Sequence, residues 1–291
     1  MSSNIIELPS EIHDLIVDEL GLEDDYGSRE ALRSCLFVSR SFRNQSRRYL
    51  FKDIRLDHEW ITDLFASLEL LRDIIIPPSG AGAGIARYIQ SFSTQRANTS
   101  GPDLVIDVAM FSGTALPRIL NALSGEDYGV STLQVGVYAA YVNWSSAMSL
   151  EFKQALHTIL KSPFLKDLSL LDVADAPFEI FGMLGSNLKT LTMNTVRFSD
   201  LPINISTPSN EITRACQLHT LKVSNTKFWS VAPRLQGPPP WSHLKVLNVF
   251  DGPSMHVVTA VNSIMSTCRH TIESVTFSFY SKSDPQVYIA E

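Results

Sequence analysis

Cysteine is scarce in this chain: Cys35, Cys216 and Cys268 are the only three in 291 residues. Their odd count, wide separation and lack of C-x-x-C spacing exclude a disulfide framework and a thiolate zinc site. Long apolar runs are missing as well. None approaches the roughly 20 residues that a membrane-spanning helix needs. The opening stretch, MSSNIIELPSEIHDLIVDEL, has no basic n-region and is interrupted by acids, so it does not read as a signal peptide. Positive charge is in deficit, with 24 Lys+Arg against 30 Asp+Glu and a net charge of −6. That balance argues against a dedicated nucleic-acid binder, whose footprint is a basic face. Without an export signal, the N-x-S/T triplets at Asn44, Asn98, Asn143 and Asn204 are chance occurrences. The expected compartment is the cytoplasm or the nucleus, with no membrane and no nucleic acid as partner.

Catalytic signatures are absent too. His13, His58, His157, His219, His243, His256 and His270 form neither H-x-H nor H-E-x-x-H, and there is no G-x-S-x-G elbow and no P-loop. The stretch Gly80, Gly82, Gly84 follows Pro77-Pro78 rather than a strand, so it reads as an inter-element loop. Cys35 sits on an apolar helix face and reads as packing. These gaps predict a non-enzyme without metal or cofactor. What is present is ordinary globular material: 44% apolar and 19% charged residues, enough for a core in one or two domains.

The first fifty residues read as helices. Pro9 suits a first helical position. Ile12, Leu15, Ile16 and Leu20 follow at i, i+3, i+4 and i+8, one apolar stripe. Gly21 stands where a helix C-terminus favours a residue tolerant of the left-handed conformation. Residues 22–27, with Glu23, Asp24 and Asp25, read as a solvated loop. Ser28 is placed to cap a second helix, whose apolar side is Leu32, Cys35, Leu36 and Val38. A third helix sets Phe42, Tyr49 and Leu50 against Arg43, Arg47 and Arg48. Acids dominate up to Asp25 and arginines follow, so the folded helices are expected to pair opposite charges. Three short helices make a poor independent core. Such a unit wants a partner surface.

These residues resemble the F-box family, in the version common in mushroom-forming fungi. The resemblance is carried by Leu8-Pro9, the helix of Ile12, Ile16 and Leu20, Leu32, and the run Val38-Ser39-Arg40-Ser41-Phe42-Arg43. Tyr49-Leu50-Phe51 and a short strand at Ile54-Arg55-Leu56 complete it over residues 5–56. Two departures are Phe42, where the family more often has Trp, and a longer acidic link between Leu20 and Leu32. The resemblance implies docking on a Skp-type adaptor, and through it on a cullin, by Leu8, Pro9, Ile12, Ile16, Leu32, Cys35, Val38 and Phe42. It places Phe42 first among them as a hot spot.

Beyond residue 56 a helix is expected near residues 60–71, carried by Ile61, Leu64, Phe65, Leu68 and Leu71. From Leu165 onward the sequence repeats the form LxxLxL. Its units begin at Leu165, Leu188, Leu218, Leu244 and Ile272, a spacing of roughly 20–30 residues that matches the leucine-rich repeat period. Weaker copies stand at Ile89 to Phe92 and Val130 to Val135. Apolar helical stripes fit between, at Leu116, Ile119, Leu120 and Leu123 and at Phe152, Ala155, Leu156, Ile159 and Leu160, the latter with Ser149 as a cap. Alternation sends Leu168 and Leu170 to one face and Ser169 to the other. No unit buries that face alone; stacked neighbours do.

The expected fold class is therefore α/β: an N-terminal three-helix F-box over residues 1–56, then an irregular leucine-rich-repeat-like solenoid with parallel strands and outer helices over 57–291. The outward residues of successive strands, with Ser169, Thr192, Lys222, Asn248 and Thr276 at their centres, form a candidate face for an unknown protein substrate. The flanking outward positions include Leu171 and Ser278. The family's Asn/Cys ladder position holds Val173, Val196, Thr226, Gly252 and Tyr280, so the array should be irregular, with long loops at 199–213 and 233–242. Gly237-Pro238-Pro239-Pro240-Trp241 reads as a loop before the Leu244 unit. No polar cap is visible after the last unit, and Phe277, Phe279 and Tyr280 are expected on an exposed edge. By resemblance the chain is a substrate-recognition adaptor of a Skp–cullin–F-box ubiquitin ligase. The alternative is a non-ligase interaction scaffold built on the same repeats.

Overall fold

Three helices open the chain. The computed structural model describes residues 9–23, 25–56, 64–77, 84–94, 110–136, 142–199, 216–226, 241–252 and 254–278. Helix α1 is Ser10–Leu22, α2 is Tyr26–Cys35 and α3 is Arg40–Leu50. Two expected boundaries move, each for a local reason. Gly21 does not end α1 but lies inside it, because a β-carbon there would stand 2.2 Å from the Tyr49 ring. Glycine lets α1 and α3 approach closely. Helix α2 is capped by Asp25 rather than Ser28. The Asp25 carboxylate accepts the N–H groups of Gly27 (2.7 Å) and Ser28 (3.1 Å), and the Ser28 hydroxyl itself donates to Asp25 (2.6 Å). A carboxylate also suits the positive end of a helix. Those bonds from Ser28, and the one from Gly27, hold the Asp25 carboxyl below its ordinary range.

Val17, Leu32 and Phe42 form a small core of their own inside the three helices, with Leu20, Cys35, Tyr49 and Leu50 packed around it. Asp18 of α1 accepts from Gln45 Nε2 (2.7 Å) and Tyr49 Oη (2.9 Å) of α3. A partly buried carboxylate that accepts two bonds ties those helices firmly.

Among the described residues the main sheet has eight strands in the order β1 (Asp53–Arg55), β2 (Ser91–Ser93), β3 (Thr132–Gly136), β5 (Asp167–Leu171), β7 (Thr190–Asn194), β8 (Thr220–Ser224), β9 (Val246–Phe250) and β10 (Ser274–Ser278). Every neighbouring pair is parallel. Two short strands, β4 (Val142–Asn143) and β6 (Val173–Ala174), pair beside it. Parallel neighbours require crossovers. These carry α4 (Leu64–Ile75), α5 (Ala115–Ala122), α6 (Leu150–Leu160) and α7 (Met255–Cys268), with 3-10 turns at Ala86–Tyr88 and Phe178–Met183. Helix α4 runs past the expected end at residue 71 to Ile75, and residues 57–63, which include the expected start, lie outside the described set. Ser149 caps α6 as expected, accepting from the Phe152 N–H at 3.1 Å.

The LxxLxL units fall in register. Ile54, Phe92, Leu133, Leu168, Leu191, Leu221, Leu247 and Val275 occupy one row across the sheet. From Phe92 to Leu247 that row is at most 2% exposed, and the leading Leu165, Leu188, Leu218 and Leu244 are buried behind it. The weaker copies at Phe92 and Leu133 therefore belong to the same series. Strands β5, β7 and β8 are each followed by one residue at positive φ: Asp172 (49°), Thr195 (56°) and Asn225 (46°). At the ladder position Val173 and Val196 are buried apolar residues, while the buried Thr226 hydroxyl donates to the Val196 carbonyl. One side-chain tie between neighbouring turns therefore survives without asparagine. Trp241, read as part of a loop, is buried in the core. Most of the loops at 199–213 and 233–242, and Phe279 and Tyr280, lie outside the described residues. Phe277 is half-buried.

Candidate protein-interaction surfaces

Helix α1 has two apolar sides. Val17 and Leu20 turn toward α2 and α3. Ile12 (40% exposed), Leu15 (58%) and Ile16 (41%) turn to solvent. The turn after α2 adds Phe37 (84%) and Val38 (65%). With Leu22 and Tyr26 also exposed, this small unit shows more large apolar side chains to solvent than its packing needs, the kind of surface that marks an interaction site.

The sequence-predicted adaptor contacts divide between the two sides. Pro9, Ile12, Ile16 and Val38 are exposed, and Cys35 is half-buried. Leu32 (3% exposed) and Phe42 (9%) are not on the surface. They pack on Val17, and the His13 imidazole lies against the Phe42 ring with centroids 4.6 Å apart. In the free chain Phe42 is a core residue of the helical unit, covered by α1. Leu8 lies outside the described residues. Sequence reasoning missed Phe37 as a surface residue and took Leu15 only as part of a stripe. The signal for Phe37 was its place between the end of α2 and the Ser39 cap of α3, whose hydroxyl accepts the Phe42 N–H at 3.3 Å.

The second surface is the sheet face opposite the leucine rows. Ser169, Thr192, Lys222, Asn248 and Thr276 stand in register on five adjacent strands. At about 4.8 Å per strand they make a row of roughly 19 Å. It extends through Gln134 and Ser93 to Arg55. Lys222 is exposed, and Ser169, Thr192, Asn248 and Thr276 are half-buried. Two flanking positions, Leu171 and Ser278, are buried, which narrows the face at its C-terminal side. Leu171 is covered where β3 ends: Gly136 (φ 141°) passes so close that a β-carbon would lie 2.0 Å from the Leu171 carbonyl oxygen.

Two open clefts flank α3. One, of about 550 Å³, places Arg48 of α3 opposite Arg87 and Tyr88, with Asp14 at its edge. The Arg87 guanidinium sits 4.7 Å over the Tyr88 ring centroid. The other, of about 540 Å³, gathers Arg29, Arg33, Lys52 and Arg55 against Glu23 and Asp53. Both are mixed-charge surfaces. Among the described residues no group of three His, Cys, Asp or Glu side chains could hold a metal ion, and no helix is long and apolar enough to cross a membrane. Burial pushes the Cys216 thiol up to about 11 and raises that of Cys268 as well. Both thiols are protonated at neutral pH, and their burial makes them packing groups. Burial, and then Lys161, lower the pKa of His157. No protein-family model matches the chain, and no curated protein matches it in sequence.

Proposed function

We propose that the chain is a substrate-recognition subunit of a Skp–cullin–F-box ubiquitin ligase. On this reading residues 1–56 are an F-box and residues 57–291 an irregular leucine-rich-repeat-like solenoid. The observation that carries it is the exposure of Ile12, Leu15, Ile16, Phe37 and Val38 on a three-helix unit whose buried apolar core, among the described residues, is Val17, Leu32 and Phe42. Burying the most exposed of those side chains, Phe37, against an adaptor contributes up to about 1.5–3 kcal/mol, and the partly covered Ile12 and Ile16 contribute less. The polar sheet face, with Ser169, Thr192, Lys222, Asn248 and Thr276 in one row, then holds the substrate. Ligase function of this kind is proximity: the substrate is held near the charged ubiquitin-conjugating enzyme and effective concentration does the rest. Such a subunit needs no catalytic residue, metal or cofactor of its own.

Co-expression with a Skp-type adaptor tests this. Capture of the adaptor by the wild-type chain, and its loss in Ile12→Asp plus Ile16→Asp, is the expected result. Failure of the wild-type chain to capture it removes the ligase reading and favours a non-ligase scaffold that uses the same sheet face.

A further inference from the structure

The residue just before each strand of the main sheet occupies an equivalent position: Lys52, Gln90, Ser131, Lys166, Lys189, His219, Lys245 and Glu273. Hydrogen bonding fixes that position. The Lys166 carbonyl accepts the N–H groups of Lys189 and Thr190 (2.7 and 2.9 Å), and the Lys189 carbonyl accepts those of His219 and Thr220 (2.8 and 2.9 Å). The same two-fold acceptance repeats from His219 to Lys245 and Val246, and from Lys245 to Glu273 and Ser274. The backbone thus places Lys166, Lys189, His219 and Lys245 side by side on four successive strands, about 4.8 Å apart. The chain has nine lysines and a net charge of −6, and three of those lysines stand among these four adjacent positions, with His219 between Lys189 and Lys245. Lys222, exposed on β8, stands three residues further along the chain from His219.

Side chains in the row reach one another, since Lys245 Nζ lies 2.7 Å from Glu273 Oε1 on the adjacent strand. Two carboxylates border the row: Glu273 at its end, and Asp167 next to Lys166, which accepts from Thr132 Oγ1 at 3.5 Å. Among the described residues neither Lys189 nor Lys222 has a carboxylate partner. Lys166 and Lys189, on adjacent strands, repel each other, and an anionic chain laid along them relieves that repulsion.

We propose that this row is a docking rail for an acidic, extended segment of a partner protein. Lys166 to Lys245 spans three strand-to-strand steps, about 14 Å, the length of roughly four extended residues. The inference rests on the sheet face being the substrate face and names the substrate class: a protein with a short run of carboxylates in an exposed, extended stretch. The Ser169, Thr192 and Asn248 row beside the rail offers neutral hydrogen-bonding groups to the same segment.

Fluorescence anisotropy on the full chain tests the rail with three labelled probes: a peptide of four glutamates between Gly-Ser flanks, its glutamine counterpart, and a short oligothymidylate. At low salt, about 50 mM, the glutamate peptide binds at least about tenfold more tightly than the glutamine peptide, and the preference shrinks as salt rises. Lys166→Glu plus Lys189→Glu removes that preference, and the milder Lys189→Gln plus Lys222→Gln weakens it at least about threefold with an unchanged urea midpoint. Equal binding of the two peptides overturns the proposal, as does an unchanged preference in the charge-reversal variant. So does tighter binding of the oligothymidylate than of the glutamate peptide. Adaptor capture on the same samples separates the two readings. Peptide binding without capture keeps the rail and removes the ligase assignment. Capture without peptide binding does the reverse.

Discussion

Replacing Gly21 with alanine should destabilise the helical unit, against the ordinary rule for helix interiors. Alanine gains about 1 kcal/mol over glycine in a free helix. Here its β-carbon would stand 2.2, 2.4 and 2.4 Å from three carbons of the Tyr49 ring, where contact distance is about 3.5–4.0 Å. The ring must move by more than an ångström, and it is held by its hydroxyl on Asp18 at 2.9 Å. Overpacking of this kind costs about 1–3 kcal/mol, and losing a hydrogen bond to a charged acceptor costs about 1.5–3 kcal/mol. Since the half-exposed ring relieves part of the clash by swinging outward, the net loss is about 1–3 kcal/mol. Hydrogen exchange over α1 to α3, with urea unfolding read by circular dichroism, measures it. The double-mutant cycle with Tyr49→Ala is the decisive control. With the ring gone, Gly21→Ala should turn stabilising by up to about 1 kcal/mol. If Gly21→Ala stabilises the wild-type chain, α1 and α3 do not approach as described and the reasoning fails.

Three further outcomes follow from the packing. Leu191→Ala, in the central buried row, should lose about 2–5 kcal/mol in urea unfolding, whereas Thr192→Ala beside it should stay within about 0.5 kcal/mol. Thr195→Gly should raise the unfolding midpoint by the equivalent of about 0.5–1 kcal/mol, because a β-branched residue at φ 56° carries a steric penalty that glycine does not. Burial, and then the bond to Asp18, raise the Tyr49 hydroxyl above its ordinary pKa near 10. The folded state therefore holds that proton more tightly than the unfolded state. The stabilisation is complete below pH 10 and is lost as pH rises through the raised value. Tyr49→Phe should flatten that alkaline loss in pH-dependent melts.

Much of the sheet was legible because each unit buries the same row. A leucine every second residue, repeated each time the chain returns, has a parallel sheet as its simplest burial solution. Leu168, Leu191, Leu221 and Leu247 therefore align as expected, and so do Ser169, Thr192, Lys222, Asn248 and Thr276 on the other side. The helical unit was less legible. Periodicity tells which residues of α1 share a side but not which of two apolar sides turns inward. Val17, outside the i, i+3, i+4 stripe, won that place, and Ile12, Leu15 and Ile16 stayed in solvent. The burial of Phe42 followed from the same choice. The capping of α2 was a local contest between Asp25 and Ser28 that residue type alone did not decide. The lysine row depends on a backbone hydrogen-bond pattern, so it emerged only when the strands were laid in register.

Hydrogen exchange of the full chain with and without a Skp-type adaptor tests the central claim most directly. The account predicts added protection over α1 and over the turn carrying Phe37 and Val38, with strands β5 to β9 unchanged. No added protection over α1, or protection confined to the sheet strands, would contradict it.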